Sequence, residues 1–103
     1  MKNNKLVSVI IPCLNEEKNI VNCLRSIVES DYPIELIEVL VIDGNSIDNT
    51  LQVVSNFQKK TNLKVIIFHN EDKQQNLALN IGIKNANGNI ILRLDAHASL
   101  DKN

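Results

Sequence analysis

Four short apolar runs, spaced about one helix apart, constrain this chain more than any other feature. They are LVSVIIP (residues 6–12), IEVLVID (Ile37–Asp43), LKVIIFH (residues 63–69) and NIILRLD (residues 89–95). Each is rich in Val and Ile and nearly continuous. A strand with one wet face alternates polar and apolar residues, whereas a strand covered on both faces does not. The runs therefore predict parallel strands sandwiched between helices.

The segments between the runs have helical spacing. Ile20, Leu24, Ile27 and Val28 form one apolar face, preceded by Glu16 and Glu17, whose charges suit a helix N-terminus. DGNSIDNT introduces a second helix that Ser46 or Asp48 can cap, with Leu51, Val54 and Phe57 facing inward. A third is predicted over residues 74–86, with Leu77, Ala78 and Ile81 inward and Asn87-Gly88-Asn89 stopping it. The order β-α-β-α-β-α-β predicts a Rossmann-like α/β domain of three layers with a mostly parallel sheet.

Right-handed crossovers restrict how such a sheet is wound. If strands two and three add on one side of strand one and strand four returns to the other, the order is 3-2-1-4. Ligands then bind beyond the carboxyl ends of the strands, where the winding reverses. PCLNEE after strand one, DGNS after strand two and DAHA after strand four would converge there.

Composition narrows the function class. With 103 residues the chain makes one domain with a core, and a formal net charge of −1 offers no basic stripe for nucleic acid or anionic lipid. The apolar run LVSVII is too short for a secretory leader, so a cytoplasmic address is expected. Cys13 and Cys23 form no CxxC pair and read as buried thiols rather than ligands or nucleophiles.

Asp43 opens a turn-forming Asp-Gly-Asn-Ser sequence, and the turn reading is the stronger one for it alone. Asn15 and Glu16 are equally suited to a helix start and to a site. Asp95 and His97, at i and i+2 of a strand end, would point the same way and could share a cation such as Mn²⁺. A capped turn with a surface histidine explains that pair equally well. Two protein ligands would leave room for a diphosphate to complete the shell.

The segments VSVIIPCLNEEKNIVNCLRSI, VLVIDGNSIDNT and LALNIGIKNANGNIILRLDAHA, in this order and spacing, resemble the N-terminal half of a family 2 glycosyltransferase with the GT-A fold. The similarity covers nearly the whole chain, and the LDAH ending is most similar to exopolysaccharide glucosyltransferases of the succinoglycan type. The resemblance implies a UDP-sugar donor, a glycan acceptor and a divalent metal, Mn²⁺ or Mg²⁺. It implies that Pro12, Asn15 and Glu16 line the nucleotide pocket, that Asp43 lies near the uracil end, and that Asp95 and His97 hold the metal and through it the diphosphate. Asn76 and Asn80, in A-L-N-x-G context, would be further pocket residues. The chain departs from the pattern at Gly44, where many members carry a second Asp, at Gln74 and Gln75, where Gly or Arg is common, and at His97, which replaces an Asp.

The same resemblance implies that the catalytic base and acceptor site lie beyond Asn103, so the chain reads as a truncated donor-binding half. The full-length protein is expected to work in the cytoplasm, at the inner face of the membrane. Strand four would then have an unpaired apolar edge, through which self-association is expected. Two alternatives compete: a nucleotidyltransferase-like domain, disfavoured because PCLNEE is acidic and lacks glycine, and a non-catalytic nucleotide-binding or interaction module that keeps the fold.

Overall fold

The computed structural model describes residues 5–71 and 75–99. Its elements run β1 (Val7–Cys13), α1 (Ile20–Val28), a 3₁₀ turn (Ile34–Leu36), β2 (Ile37–Asp43), α2 (Thr50–Gln58), β3 (Lys64–His69), α3 (Gln75–Asn85) and β4 (Ile90–Arg93). The strands form one parallel sheet in the order β3-β2-β1-β4, as expected from the winding argument. The fourth strand is shorter than predicted: pairing runs from Ile90 to Arg93, and the chain turns away after Leu94.

Every residue of β1 and of β2 is buried, which is why these two runs carry no alternation. Their side chains divide between two cores. Val7, Val9, Ile11, Val39 and Val41 pack under Ile20, Leu24 and Ile27 of α1 and Val54 of α2. Ile10, Leu40 and Ile42 point the other way, toward Ala78 of α3 with Leu79 and Ile81 beside it. Full burial of each Ile or Leu is worth about 1.5–3 kcal/mol, so β1 and β2 anchor both layers.

The helix starts differ from the expected ones. Glu16 and Glu17 precede α1, whose N-cap position is Asn19 without a side-chain cap bond. Asn49 holds that position for α2, also uncapped by its own side chain. Asp48, one residue earlier, accepts the Thr50 N–H at 2.9 Å. Asp48 thus serves the start of α2, as expected, and its other carboxylate oxygen accepts the Glu17 N–H from the neighbouring loop.

On the α3 face the sheet buries two polar side chains at its amino end, Ser8 and Glu38. Ser8 Oγ donates to Glu38 Oε2 at 2.6 Å, the Asn87 N–H donates to the same oxygen at 2.7 Å, and the Gly88 N–H donates to Ser8 Oγ at 2.8 Å. This network ties the α3–β4 turn to the sheet, which fixes where β4 begins. Gly88 is required here by close approach, since a Cβ on it would lie 2.7 Å from the Ser8 backbone nitrogen. Gly82 does the same for α3: its Cβ would meet Ile10 Cγ2 at 2.6 Å. β4 itself is the exposed border of the sheet, with Ile91 and Leu92 about two-fifths accessible at 42% and 41%. The expectation of self-association rests on this edge.

Burial works against ionising Glu38, but the hydrogen bonds from Ser8 and Asn87, aided by Lys64, outweigh it and hold the carboxyl below its ordinary 4.5. A depressed folded-state pKa adds stability above the unfolded value, and that increment is lost as pH falls through the folded one. Glu38→Gln should therefore cost about 1.5–3 kcal/mol near neutral pH, in urea unfolding. The gap to wild type should shrink below pH 4.5. A gap independent of pH would contradict the role given to this carboxylate.

Candidate functional site

The carboxyl ends of the strands surround a crevice of about 240 Å³. Pro12, Cys13, Leu14 and Glu16 line it from the β1–α1 connection, Ile42 and Gly44 from the end of β2, and Asn70 from beyond β3. Ala78 of α3 and Asp95, Ala96 and His97 after β4 close the other side. The lining mixes apolar residues such as Pro12, Leu14, Ile42 and Ala96 with the polar Glu16, Asn70, Asp95 and His97, a combination small-molecule sites commonly have.

Two loops that form the crevice wall are laced together. Asn15 Oδ1 accepts the N–H groups of Ile47 at 2.8 Å and Asp48 at 3.3 Å, while the Asn15 N–H donates to Ser46 Oγ at 2.9 Å. The Glu16 N–H donates to Thr50 Oγ1 at 2.8 Å, and the Glu17 N–H to Asp48 Oδ2 at 3.3 Å. Asn15 and Asn45 both have left-handed backbones, with φ of 54° and 71°. Asn tolerates that region better than other residues with a Cβ, which explains the residue type at both turns.

Asp43 is part of this scaffold. Its carboxylate is 1% exposed. Oδ2 accepts the N–H groups of Asn45 at 3.0 Å and Ser46 at 2.9 Å, and Oδ1 accepts the Ser46 hydroxyl at 2.5 Å and the Cys13 thiol at 3.7 Å. Both oxygens are engaged inside the protein, as the turn reading of DGNS expects. Asp43 holds the loop's shape and is not among the crevice-lining residues.

Asp95 and His97 reach the rim by a different route from the strand alternation first expected. Residues 95–98 form a turn closed by the Ala98 N–H donating to the Asp95 carbonyl at 2.9 Å. Ala96 is buried in the core at 2% exposure, and its two neighbours are left on the outside. The small residue between them is thus the anchor of the motif. Asp95 meets Arg93 at 3.3 Å, a half-exposed ion pair of small energetic weight. His97 Nδ1 lies 3.4 Å from Glu16 Oε2. Among the described residues, no three His, Cys, Asp or Glu side chains converge to make a closed metal site.

Of the residues singled out from the sequence, Pro12, Glu16, Asp95 and His97 meet at the crevice. Asn15 and Asp43 brace its wall. Asn80 is exposed on α3, two residues around the helix from the lining Ala78. Asn76 lies in the first turn of α3, and its side chain falls outside the described residues, as does Gln74. Cys13 and Cys23 are buried thiols, as expected, and sequence reading missed Asn70 and the contacts the two thiols make at the crevice. Asn70 lies one residue beyond the end of β3, next to the His69 that pairs with Asp43, and its place at a carboxyl strand end was the available signal. Cys23 is buried beneath the rim and donates its thiol to the Asp95 carbonyl at 3.5 Å, a contact no spacing rule would reveal.

A family model described as Glycosyl transferase family 2 matches residues 8–103. The chain belongs to glycosyltransferase family 2. It is 48% identical over 93 residues to a dolichyl N-acetyl-alpha-D-glucosaminyl phosphate 3-beta-D-2,3-diacetamido-2,3-dideoxy-beta-D-glucuronosyltransferase of Methanococcus voltae, covering 89% of this chain and 29% of that protein. It is 36% identical over 95 residues to the poly(ribitol-phosphate) beta-N-acetylglucosaminyltransferase TarS of Staphylococcus aureus, covering 92% of this chain and 17% of that one. Among solved structures, the mannosyltransferase PcManGT of Pyrobaculum calidifontis, in complex with GDP-Man and Mn²⁺, superposes with a TM-score of 0.88 at 31% identity. S. aureus TarS in complex with UDP gives 0.86 at 32% identity. Both matches cover 94% of this chain and 29% of the other. The sheet order and the helices on both faces are those of the GT-A fold, and the chain spans less than a third of these relatives' length.

Both thiols of this glycosyltransferase domain are held protonated. Burial first, then the Asp43 charge and hydrogen bond, push Cys13 from the ordinary 9.0 to about 12. Burial, Asp95 and Glu16 push Cys23 to about 11. Folded-state values above the unfolded one give stability that is present below pH 9.0 and declines as pH rises toward the folded values. We expect both thiols to resist iodoacetamide in the folded chain at pH 8 and to react on adding denaturant. Rapid alkylation of either thiol without unfolding would contradict this.

Proposed function

We propose that the chain is the donor-binding part of a metal-dependent glycosyltransferase, which moves a sugar from a UDP-sugar to a growing polysaccharide or other glycan acceptor. The observation that carries this reading is the crevice at the switch point, whose lining includes both Asp95 and His97. Pro12, Cys13 and Leu14 offer a face for the flat nucleobase, and the rim lies where a diphosphate would end. That rim is acidic, with Glu16 and Asp95 on it, so a diphosphate needs a cation to approach.

Asp95 and His97 fit a divalent ion: carboxylate oxygen and imidazole nitrogen suit Mn²⁺ or Mg²⁺ in the presence of phosphate oxygens. Such an ion neutralises charge developing on the leaving diphosphate. Asp95 and His97 would hold it from one side of the turn, while Ala96 keeps that turn seated in the core. Asp43, Asn15 and Thr50 keep the opposite wall fixed, so the pocket is preorganised for the nucleotide. Asn76 and Asn80 stand on α3 as secondary donor contacts.

The relatives support this reading. Solved TarS structures hold UDP and UDP-GlcNAc, and the mannosyltransferase holds GDP-Man with Mn²⁺. We take uracil as the base for this chain and GDP as the control. The M. voltae relative is named for a dolichyl-phosphate-linked substrate. As part of the same proposal, we place the whole protein's reaction in the cytoplasm, at the inner face of a membrane. Among the described residues no helix is long and apolar enough to cross a bilayer.

Titration calorimetry tests the donor site. UDP should bind wild type with Mn²⁺ at a dissociation constant on the order of 1 mM, about −4 kcal/mol. Binding should weaken with chelator, and His97→Ala should lose the metal dependence. Equal binding with and without metal, in both proteins, would remove the metal assignment. Tighter binding of GDP than UDP would overturn the choice of base.

A further inference from the structure

We infer that Glu16 is a positioning residue for His97: its carboxylate accepts the Nδ1 proton and so turns Nε2, unprotonated, toward the metal. This rests on the metal site proposed above and says which chain atoms shape it. Glu16 Oε2 lies 3.4 Å from His97 Nδ1, joining the β1–α1 connection to the turn after β4 across the switch point. The distance is long for a hydrogen bond, as functional pairs in unliganded sites commonly are.

Glu16 is built to hold still, whereas His97 is not. The Glu16 N–H is anchored on Thr50 Oγ1 at 2.8 Å, and its carbonyl accepts the N–H groups of Asn19 at 3.0 Å and Ile20 at 2.9 Å. Its second carboxylate oxygen accepts the Asn19 side-chain amide at 3.3 Å. Its side chain is 21% exposed, against 64% for His97. The carboxylate is thus the fixed partner and the imidazole the one oriented by it.

The alternative role, a third ligand beside Asp95 and His97, is not what the geometry favours, since among the described residues no such trio converges. A histidine ligand usually gives its other ring N–H to a carboxylate or carbonyl, and losing that partner costs about 10–100-fold in metal affinity. Glu16 supplies that partner from a different loop.

The test starts with the metal-free chain, using the imidazole nitrogens in a long-range ¹H–¹⁵N spectrum. The chain has two histidines, so His97→Ala assigns the His97 signals. A free imidazole in water prefers the proton on Nε2; here wild type should show it on Nδ1, and Glu16→Ala should revert to the Nε2 form. Mn²⁺ affinity in saturating UDP, read from the spin-resonance signal of free Mn²⁺, should fall by about tenfold or more in Glu16→Ala. Glu16→Gln, whose amide oxygen still accepts the Nδ1 proton, should recover most of the affinity. Circular dichroism melting shows that each variant is folded. An Nε2 proton in wild type, or unchanged Mn²⁺ affinity in Glu16→Ala while His97→Ala loses it, would overturn the role of Glu16 and leave the metal site standing. Unchanged affinity in His97→Ala would overturn both.

Discussion

The structure depends on one strand. β1 is paired on both edges, with β2 in register from Val7 to Cys13 and with β4 from Val7 to Ile10, and it is buried along its whole length. Because the chain adds β2 and β3 on one side and returns to the other for β4, the connections at the carboxyl end diverge around β1. They leave the crevice between them. A parallel sheet needs each crossover to be right-handed, so this gap is a consequence of winding and not of any particular side chain.

What makes the gap usable is the division of polar side chains between its two walls. On the β2 side Asp43, Ser46 and Asp48 are consumed in hydrogen bonds among loop residues, with Asn15 bridging from β1. That wall is rigid and presents few free charges. On the β4 side, Ala96 goes into the core and leaves Asp95 and His97 outside. The opposite end of the sheet shows the same economy, where Glu38 fixes the Asn87-Gly88 turn and with it the start of β4. Each connection of β4 thus has its own anchor: Glu38 at its entry and the buried Ala96 at its exit.

Much of this was legible in the sequence, and for identifiable reasons. The unbroken Val/Ile runs of β1 and β2 could only be strands covered twice, and the switch-point position of PCLNEE, DGNS and DAHA followed from crossover handedness. The end of β4 was not legible, because a period of two continues on paper through Leu94 and Asp95 whether or not pairing does. Only the burial of Ala96 reveals the turn. The role of Asp43 divided the two lines of reasoning: turn chemistry expected a carboxylate folded onto its own loop, while family resemblance expected one near the base. In the structure both of its oxygens accept hydrogen bonds from Cys13 and from its own loop, which is what turn chemistry expected. Asn70 and Cys23 were invisible because their importance comes from long-range packing, which no local pattern encodes.

The central claim is that the switch-point crevice, with Asp95 and His97 at its rim, is where a metal and a nucleoside diphosphate meet. Paramagnetic broadening by Mn²⁺ tests it residue by residue. In the amide spectrum of the chain with UDP, substoichiometric Mn²⁺ should broaden Ala96, His97, Glu16 and Gly44 first. Ser8, Glu38 and Asn87, about six strand residues or ~20 Å away at the other end of the sheet, should stay sharp. Broadening that centres on any other surface, or that is the same without UDP and in Asp95→Ala, would contradict the account.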